Sequence, residues 1–365
     1  MTEEKLAING GERLIPEGFI KPWPPIDEID RKYVLDSLNQ TNHAFGPNCR
    51  EFEKEFAAWN GNKFSITTNS GTAALHMAVA ACDCGAGDQV IVPAYTWSSS
   101  ATCVLHHNCI PVFVDIDFDT MNMDTKKIEA AITEKTKAII VVHLHGLAVN
   151  MDEVLLIAKK YNLKVIEDCC QAHGALFKGK KVGLWGDCAA FSFNQNKCLC
   201  SGEGGMFVTD NEEMYKKALM VWSFGETQTP SEKRDYHAYA LGWMYRNNDL
   251  TAAFGRAQLT KLDRYLEIQE QNAGVLTKEL KGTKGLIIPF VPENHKHNWY
   301  NYTIRLLPEE FGWKGKPNIF RNAVMKAIQA EGATVSVWQN FILPYMTVFQ
   351  AKNAYGKGCP WSCPN

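Results

Sequence analysis

Lys197 stands in the stretch GDCAAFSFNQNKCLCSGEGGMFVTD, between a serine-bearing apolar run and a diglycine. Residues 189–193 and 206–209 read as short buried strands, with Gly202-Glu203-Gly204-Gly205 turning between them. An irregular apolar connection of this kind can desolvate an amine and lower its pKa, which is what a Schiff-base lysine requires. The plain alternative is a lysine on an ordinary strand connection, since lysines favour the surface. Asp168 ends a predicted strand at 164–168, with Gln171 and His173 just beyond. A carboxylate at the C-terminal end of a strand lies where open α/β sheets bind ligands, although it can equally cap a helix. Asn69-Ser70-Gly71-Thr72 follows another apolar run and feeds an apolar helix beginning at Ala73. Free N–H groups and the positive end of the helix dipole gather at such a junction, and Ser and Thr add hydroxyl donors without bulk. That combination suits a phosphate and also describes a common N-cap. Trp97 offers a large flat face, for stacking or for core packing.

The elements that must hold these groups alternate along the chain. Strands are predicted at 64–68, 89–93, 111–114, 138–143, 164–168, 189–193 and 206–209. Helices are predicted from near Ile26, where Ile29, Tyr33, Val34 and Leu38 recur at helical spacing, then at 50–59, after Ser98, near 125–132, at 151–161, at 211–222 and at 252–266. The strands are continuous apolar runs, the pattern of a mostly parallel sheet covered by helices on both faces. From about Glu267 the texture changes, with a helix, strands at 286–289, 299–306 and 334–338, and a helix at 319–330. The expected organisation is a large α/β domain over 1–262, opened by a proline-bearing arm around Trp23, and a small α+β domain over 263–365. A polar stretch at 225–237 is expected to form a surface or substrate loop.

SFNQNK followed by GEGG resembles the cofactor-lysine segment of the nucleotide-sugar and aminocyclitol aminotransferases, the DegT/StrS-type family of fold-type I pyridoxal phosphate (PLP) enzymes. The likeness runs from about Pro22 to the end of the chain and implies a seven-stranded large domain with a small C-terminal one. It implies that Lys197 is the Schiff-base partner of pyridoxal 5'-phosphate and that Ser192, Ser70, Gly71 and Thr72 hold the phosphate. Trp97 would stack on the pyridine ring, Asp168 in EDCCQAHGA would face the ring nitrogen, and Gln171 would approach the phenolic oxygen. An anion beside that nitrogen keeps the ring protonated, so that it can act as an electron sink. The turn Ala44-Phe45-Gly46-Pro47 lies near the active site in the family. The segment 242–250 resembles the family's cross-subunit motif, with Met244 where an asparagine is common, so Asn248 and Arg246 become the candidate crossing contacts of a homodimer with shared sites. The chain stops at CPWSCPN, where relatives usually continue, and so looks truncated.

Composition narrows the function classes. A 365-residue chain with 45% apolar content can bury one large core and a smaller second one. A net charge of -2 without long charge blocks gives no case for nucleic acid or an anionic membrane surface. The N-terminal stretch lacks an apolar signal-peptide region and no stretch approaches the ~18 apolar residues of a membrane span, so a cytoplasmic protein is expected. The twelve cysteines are scattered in apolar runs and read as reduced structural thiols. Cys359 and Cys363 have no second pair at zinc spacing, and no metal is expected. His106, His107, His143 and His145 are assigned no acid or base role. The expected reaction is PLP-dependent transfer of an amino group from glutamate or glutamine to a keto (or aldehyde) sugar or cyclitol. A dehydratase or aromatising synthase of the aminohydroxybenzoate synthase kind, and a non-catalytic regulatory homologue, are the alternatives. Sugar dehydratases of this fold replace the lysine with histidine, so Lys197 argues against that branch.

Overall fold

The computed structural model describes residues 5–227 and 236–363, so the expected loop at 225–237 lies largely outside the described residues. Its sheet contains β1 (Phe64–Thr68), β2 (Gln89–Pro93), β3 (Ile110–Val114), β4 (Thr136–Val142), β5 (Lys164–Asp168), β6 (Cys188–Ser192) and β7 (Gly205–Thr209). Their order is β1-β7-β6-β5-β4-β2-β3. All run in one direction except β7, which is antiparallel to both β1 and β6. Every residue of β6 and β7 is buried, which is why these strands read as unbroken apolar runs. The C-terminal ends of β1, β4, β5 and β6 therefore share one edge, and the reversed β7 returns the chain from it.

Helices α1 (Glu28–Leu38), α2 (Pro47–Asn60), α3 (Gly71–Ala81), α4 (Ser99–His106), α5 (Met151–Tyr161), α6 (Glu212–Trp222) and α7 (Asp249–Leu259) surround the sheet. The core seam between α2 and β6 is aromatic. Phe52 lies 5.0 Å from Phe193 and Phe56 lies 5.0 Å from Phe191, centroid to centroid, in the tilted and edge-on arrangements that aromatic pairs favour.

Several predicted elements are corrected. In α1 the predicted apolar residues are only partly covered: Tyr33 and Val34 are half-buried and Ile29 and Leu38 exposed, whereas Asp30 and Ser37 are buried. Gln258 and Lys261 donate to Asp30 at 2.7 and 2.6 Å, and Ser37 donates to Asp249 at 2.6 Å, so polar pairing decides the inward face. The helix expected near 125–132 is two 3-10 turns, Thr125–Lys127 and Glu129–Ala131. The helix expected at 252–266 is two helices, since α7 ends at Leu259 and α8 (Leu262–Leu280) begins after Thr260 turns its hydroxyl back to Ala257 O at 2.6 Å. Of the strands expected at 286–289, 299–306 and 334–338, only Leu286–Ile287 and Arg305–Leu306 form a ladder. The aromatic run fails as a strand because His297 Nδ1 and Asn298 Oδ1 take the N–H groups of Trp299 (2.7 Å) and Tyr300 (2.9 Å), turning the backbone locally.

Packing also divides the chain differently from one cut between 262 and 263. The larger unit holds Ile26–Asn272, Phe290–Asn301 and the C-terminal stretch from Phe341, in which Leu343 N–H bonds to Ala94 O at 2.8 Å. The smaller unit holds the stretch up to Pro25, Ala273–Pro289 and Tyr302–Asn340. Within it Glu331, at the end of α9 (Pro317–Ala330), accepts the N–H groups of Ala7 at 2.8 Å and Leu14 at 3.3 Å, which ties the proline-bearing arm to this unit. Cys359 and Cys363 form a disulfide, and ten other cysteines are free. Among the described residues, no helix is long and apolar enough to cross a membrane.

Candidate active site

Three strand ends and one helix N-terminus meet at the shared edge of the sheet. Gly205 pairs with Thr68 on one side and Ser192 on the other, which carries the Asn69–Thr72 turn toward the end of β6. A Cβ on Gly205 would lie 2.5 Å from Ser70 O and 2.7 Å from Gly71 N, so the turn seats itself on a strand position that has no side chain. Gly71 repeats the device. A Cβ there would lie 2.7 Å from Ser192 Cβ and 3.0 Å from Cys170 Sγ, which places α3's first residue directly against β6 and against the turn after β5.

Ser70 caps α3, its hydroxyl accepting Ala73 N–H at 3.1 Å. The first N–H groups of the helix, those of Gly71 and Thr72, have no intrahelical partner. Asp168 is only 5% exposed, and each of its oxygens is held: Oδ1 accepts Cys170 N–H at 3.1 Å and Oδ2 accepts the Ser100 hydroxyl at 2.7 Å. Gln171 is buried, and its Oε1 accepts His145 N–H at 2.8 Å, which leaves the amide NH2 as the donating end.

Lys197, half-buried between β6 and β7, directs Nζ to the Tyr300 hydroxyl at 3.2 Å and lies 4.6 Å from the centre of that ring. Its charge reaches the same turn. Burial pushes the Cys170 thiol up and the Asp168 charge adds to the rise, while Lys197 opposes it. Burial drives His173 down to about 3, with Lys197 second, so this imidazole is neutral. Lys197, Asp168, Ser192, Gly71 and the Ser70 cap are thus brought to one place.

Trp97 sits on the turn into α4 and stays 58% exposed. The 244–246 segment runs beside the Asn69 turn, with Asn69 N–H donating to Tyr245 O at 2.9 Å and Thr68 bridging Arg246. Arg246 lies 5.5 Å over the Phe224 ring, and exposed Asn248 caps α7 by accepting Thr251 N–H at 3.0 Å. Asp249 turns inward instead, where it accepts Asn48 N–H and Ser37 Oγ.

His143, Glu167 and Cys169 could in principle surround a cation, but the first two are already committed. His143 Nδ1 accepts Val149 N–H at 3.0 Å, so Nε2 carries the proton it donates to Glu167 at 2.9 Å. Glu167 also accepts three backbone N–H groups, from Gly183, Trp185 and Gly186. Burial alone would raise its pKa, yet His143 and these donors hold it below the usual carboxylate range.

Sequence reasoning missed Ser100, Tyr300, Asn298 and Gly205. Ser100 lies in a Ser-rich helix start, and Tyr300 in the aromatic run read as a strand. Asn298 donates to Gln171 O and His173 O at 3.0 and 3.1 Å, and so fixes the segment that carries Tyr300.

A mostly parallel seven-stranded α/β sheet, with a lysine on its reversed connection and a carboxylate and a capped helix at its C-terminal edge, is the architecture of the PLP-dependent transferases. Residues 24–362 match the model of the DegT/DnrJ/EryC1/StrS aminotransferase family. The chain belongs to that family, and it is a PLP-dependent aminotransferase. It is 40% identical over 285 residues to a GDP-perosamine synthase of Caulobacter vibrioides, covering 78% of this chain and 76% of that one. It is 35% identical over 343 residues to a putative L-glutamine:3-amino-2,3-dideoxy-scyllo-inosose aminotransferase of Micromonospora echinospora, covering 90% and 78%. Among solved structures it resembles the PLP form of a putative sugar aminotransferase from Streptococcus pneumoniae, with a TM-score of 0.81 and 26% identity over 90% of this chain and 86% of that one.

Proposed function

We propose that this aminotransferase moves an amino group from glutamate or glutamine to the keto (or aldehyde) carbon of a sugar or cyclitol. The observation that carries the reading is the convergence of Lys197, Asp168, Ser192 and the Ser70-Gly71-Thr72 turn on one sheet edge. The named substrates of its relatives support the acceptor class. The donor set fits pyridoxal phosphate: a helix N-terminus and Ser192 for the phosphate, Asp168 for the ring nitrogen, the Gln171 amide for the phenolic oxygen, Trp97 for the ring face and Lys197 for the aldehyde carbon. Bound there, the cofactor supplies a carbon that exchanges amines and a ring that accepts the electron pair left when a C–H bond breaks.

The remaining chemistry belongs to the chain's own groups. Lys197 Nζ moves the proton taken from the donor's Cα, and the Tyr300 hydroxyl steadies that amine between transfers. Asp168 keeps a proton on its ring partner, and α3's free N–H groups hold an anion without adding a mobile side chain. The donor leaves as its 2-oxo acid, and the acceptor carbon gains the amine in the reverse sequence.

A homodimer with shared sites is part of the same reading. Phe224 and Met244, both exposed, lie beside Arg246 and the Asn69 turn, and Ile29, Leu35 and Leu38 on α1 are exposed apolar residues as well. A cytoplasmic location accords with the ten free cysteines. The test is to offer PLP-loaded protein glutamate and glutamine with a panel of ketosugars and ketocyclitols, nucleotide-linked and free, and to read the amine product by mass. Conversion of the donor to its 2-oxo acid with no aminated product from either panel overturns the acceptor class.

A further inference from the structure

Ser100 is a fully buried hydroxyl in a helix whose other buried positions are Ala101, Cys103, Val104 and Leu105. A hydroxyl in such surroundings destabilises the fold unless it is hydrogen-bonded, and this one donates to Asp168 Oδ2 at 2.7 Å. That length is an ordinary, well-formed O–H···O bond. Thr96, also buried, lies 3.2 Å from the Ser100 hydroxyl. An ionised carboxylate can only accept, so the single Ser100 proton points to Asp168 and Thr96 must donate to Ser100. The result is a chain of fixed polarity, Thr96 to Ser100 to Asp168, that reaches the carboxylate from α4, while Cys170 N–H holds the other oxygen from the β5 end.

We propose that Ser100, backed by Thr96, is a positioning residue for the aminotransfer, which fixes Asp168 as an oriented carboxylate and thereby keeps the proton on the ring nitrogen of the bound cofactor. This rests on the reading of Asp168 as that nitrogen's partner. The titratable groups facing Asp168 are the thiols of Cys103, Cys169 and Cys170, with Lys197 beyond Cys170. Burial, with the Asp168 charge second or third, pushes all three thiols up, so they stay neutral and supply no competing charge. Loss of the Ser100 donor leaves Asp168 Oδ2 without its hydrogen bond and the carboxylate freer to rotate away from the nitrogen. Both changes weaken its hold on the proton there.

The experiment loads wild type, Ser100→Ala, Ser100→Cys, Thr96→Val and Asp168→Ala with pyridoxal phosphate carrying 15N in the ring, and records the nitrogen shift alongside donor half-reaction kinetics. Ser100→Ala is expected to move the shift toward that of a neutral pyridine and to lower the half-reaction rate by roughly ten- to a hundredfold, with KM for the donor little changed. Ser100→Cys, close in shape and a weaker donor, falls between wild type and Ala, and Thr96→Val moves the shift less. If Asp168→Ala moves the shift and none of the Ser100 and Thr96 variants does, Ser100 has no positioning role and the reading of Asp168 stands. If Asp168→Ala itself leaves the nitrogen protonated, the reading beneath the proposal fails. Should Ser100→Ala not fold, the Cys and Thr96→Val shifts decide the matter alone.

Discussion

Gly71→Ala tests the phosphate site through packing alone. The added methyl would stand 2.7 Å from Ser192 Cβ, 3.0 Å from Cys170 Sγ and 3.2 Å from Ser192 Cα. Carbon atoms in comfortable contact are about 3.5–4.0 Å apart, so α3's first turn and the end of β6 must separate by roughly 1 Å. The overpacking and displacement should destabilise the apoprotein by about 1–3 kcal/mol. The same shift carries a hydrogen bond of about 2.9 Å beyond bonding range. Each lost charge-assisted bond to the phosphate costs about 1.5–3 kcal/mol, or about one to two decades in affinity. The assay titrates apoprotein with pyridoxal phosphate and, separately, with pyridoxal, which lacks the phosphate, while urea unfolding reports the stability change. Affinity for pyridoxal phosphate should fall at least about tenfold and affinity for pyridoxal much less, so the ratio between them collapses. If the variant folds and the ratio equals that of wild type, the phosphate does not bind between Gly71 and Ser192.

Lys197→Ala should abolish both the borohydride-fixed cofactor adduct and turnover, whereas Tyr300→Phe, which removes the hydroxyl 3.2 Å from Nζ, should keep the adduct and slow turnover about tenfold; an unslowed Tyr300→Phe enzyme would show that the contact is idle. Glu53 accepts Thr67 N–H at 2.8 Å, and burial pushes its pKa up to about 8. A raised folded pKa means stability that is complete below the ordinary carboxyl value and lost as pH rises from there to about 8, so Glu53→Gln should flatten the decline in urea midpoint across that interval, and parallel pH curves would refute this. Lys197→Ala subunits mixed with Arg246→Ala/Asn248→Ala subunits should regain activity, because one site of each mixed dimer then carries neither defect. Confirmed subunit exchange without recovery would remove Arg246 and Asn248 from the neighbouring site.

The sheet was legible because its strands are buried on both faces. Gln89–Pro93 is a nearly continuous apolar run and Lys164–Asp168 a short one bounded by charged residues, and both strands have the predicted bounds. Lys197, Asp168 and the Ser-Gly-Thr turn stand at junctions of elements, and it was the resemblance of their segments to the family's that singled them out. Groups that depend on distant partners were not legible. Nothing near Ser100 distinguishes it from Ser98 or Ser99 until α4 packs beside β5, where its hydroxyl meets Asp168, 68 residues away in sequence. Tyr300 was hidden for a different reason: its alternating aromatic neighbours suit a strand, and only the His297 and Asn298 side chains turn the backbone aside.

α1 shows what periodicity can and cannot establish. Spacing located the helix, and the Asp27 and Asp30 side chains form the capping box that starts it. Periodicity does not say which side faces inward. Here the larger unit takes the polar side, because Asp30 meets Gln258 and Lys261 and Ser37 meets Asp249, which also accepts from Asn48. Those bonds cross the α1, α2 and α7 contacts and satisfy buried groups that would otherwise be costly. Ile29, Leu35 and Leu38, spread around the rest of the helix, stay exposed. Phe224 and Met244 are exposed as well, next to Arg246 and within the 242–250 segment or its immediate partners. Exposed apolar residues on α1 and beside Arg246 are what the proposed symmetric partner would cover. The exposed apolar residues of α1 and the position of Arg246 beside the Asn69 turn are the two observations from which the homodimer is proposed.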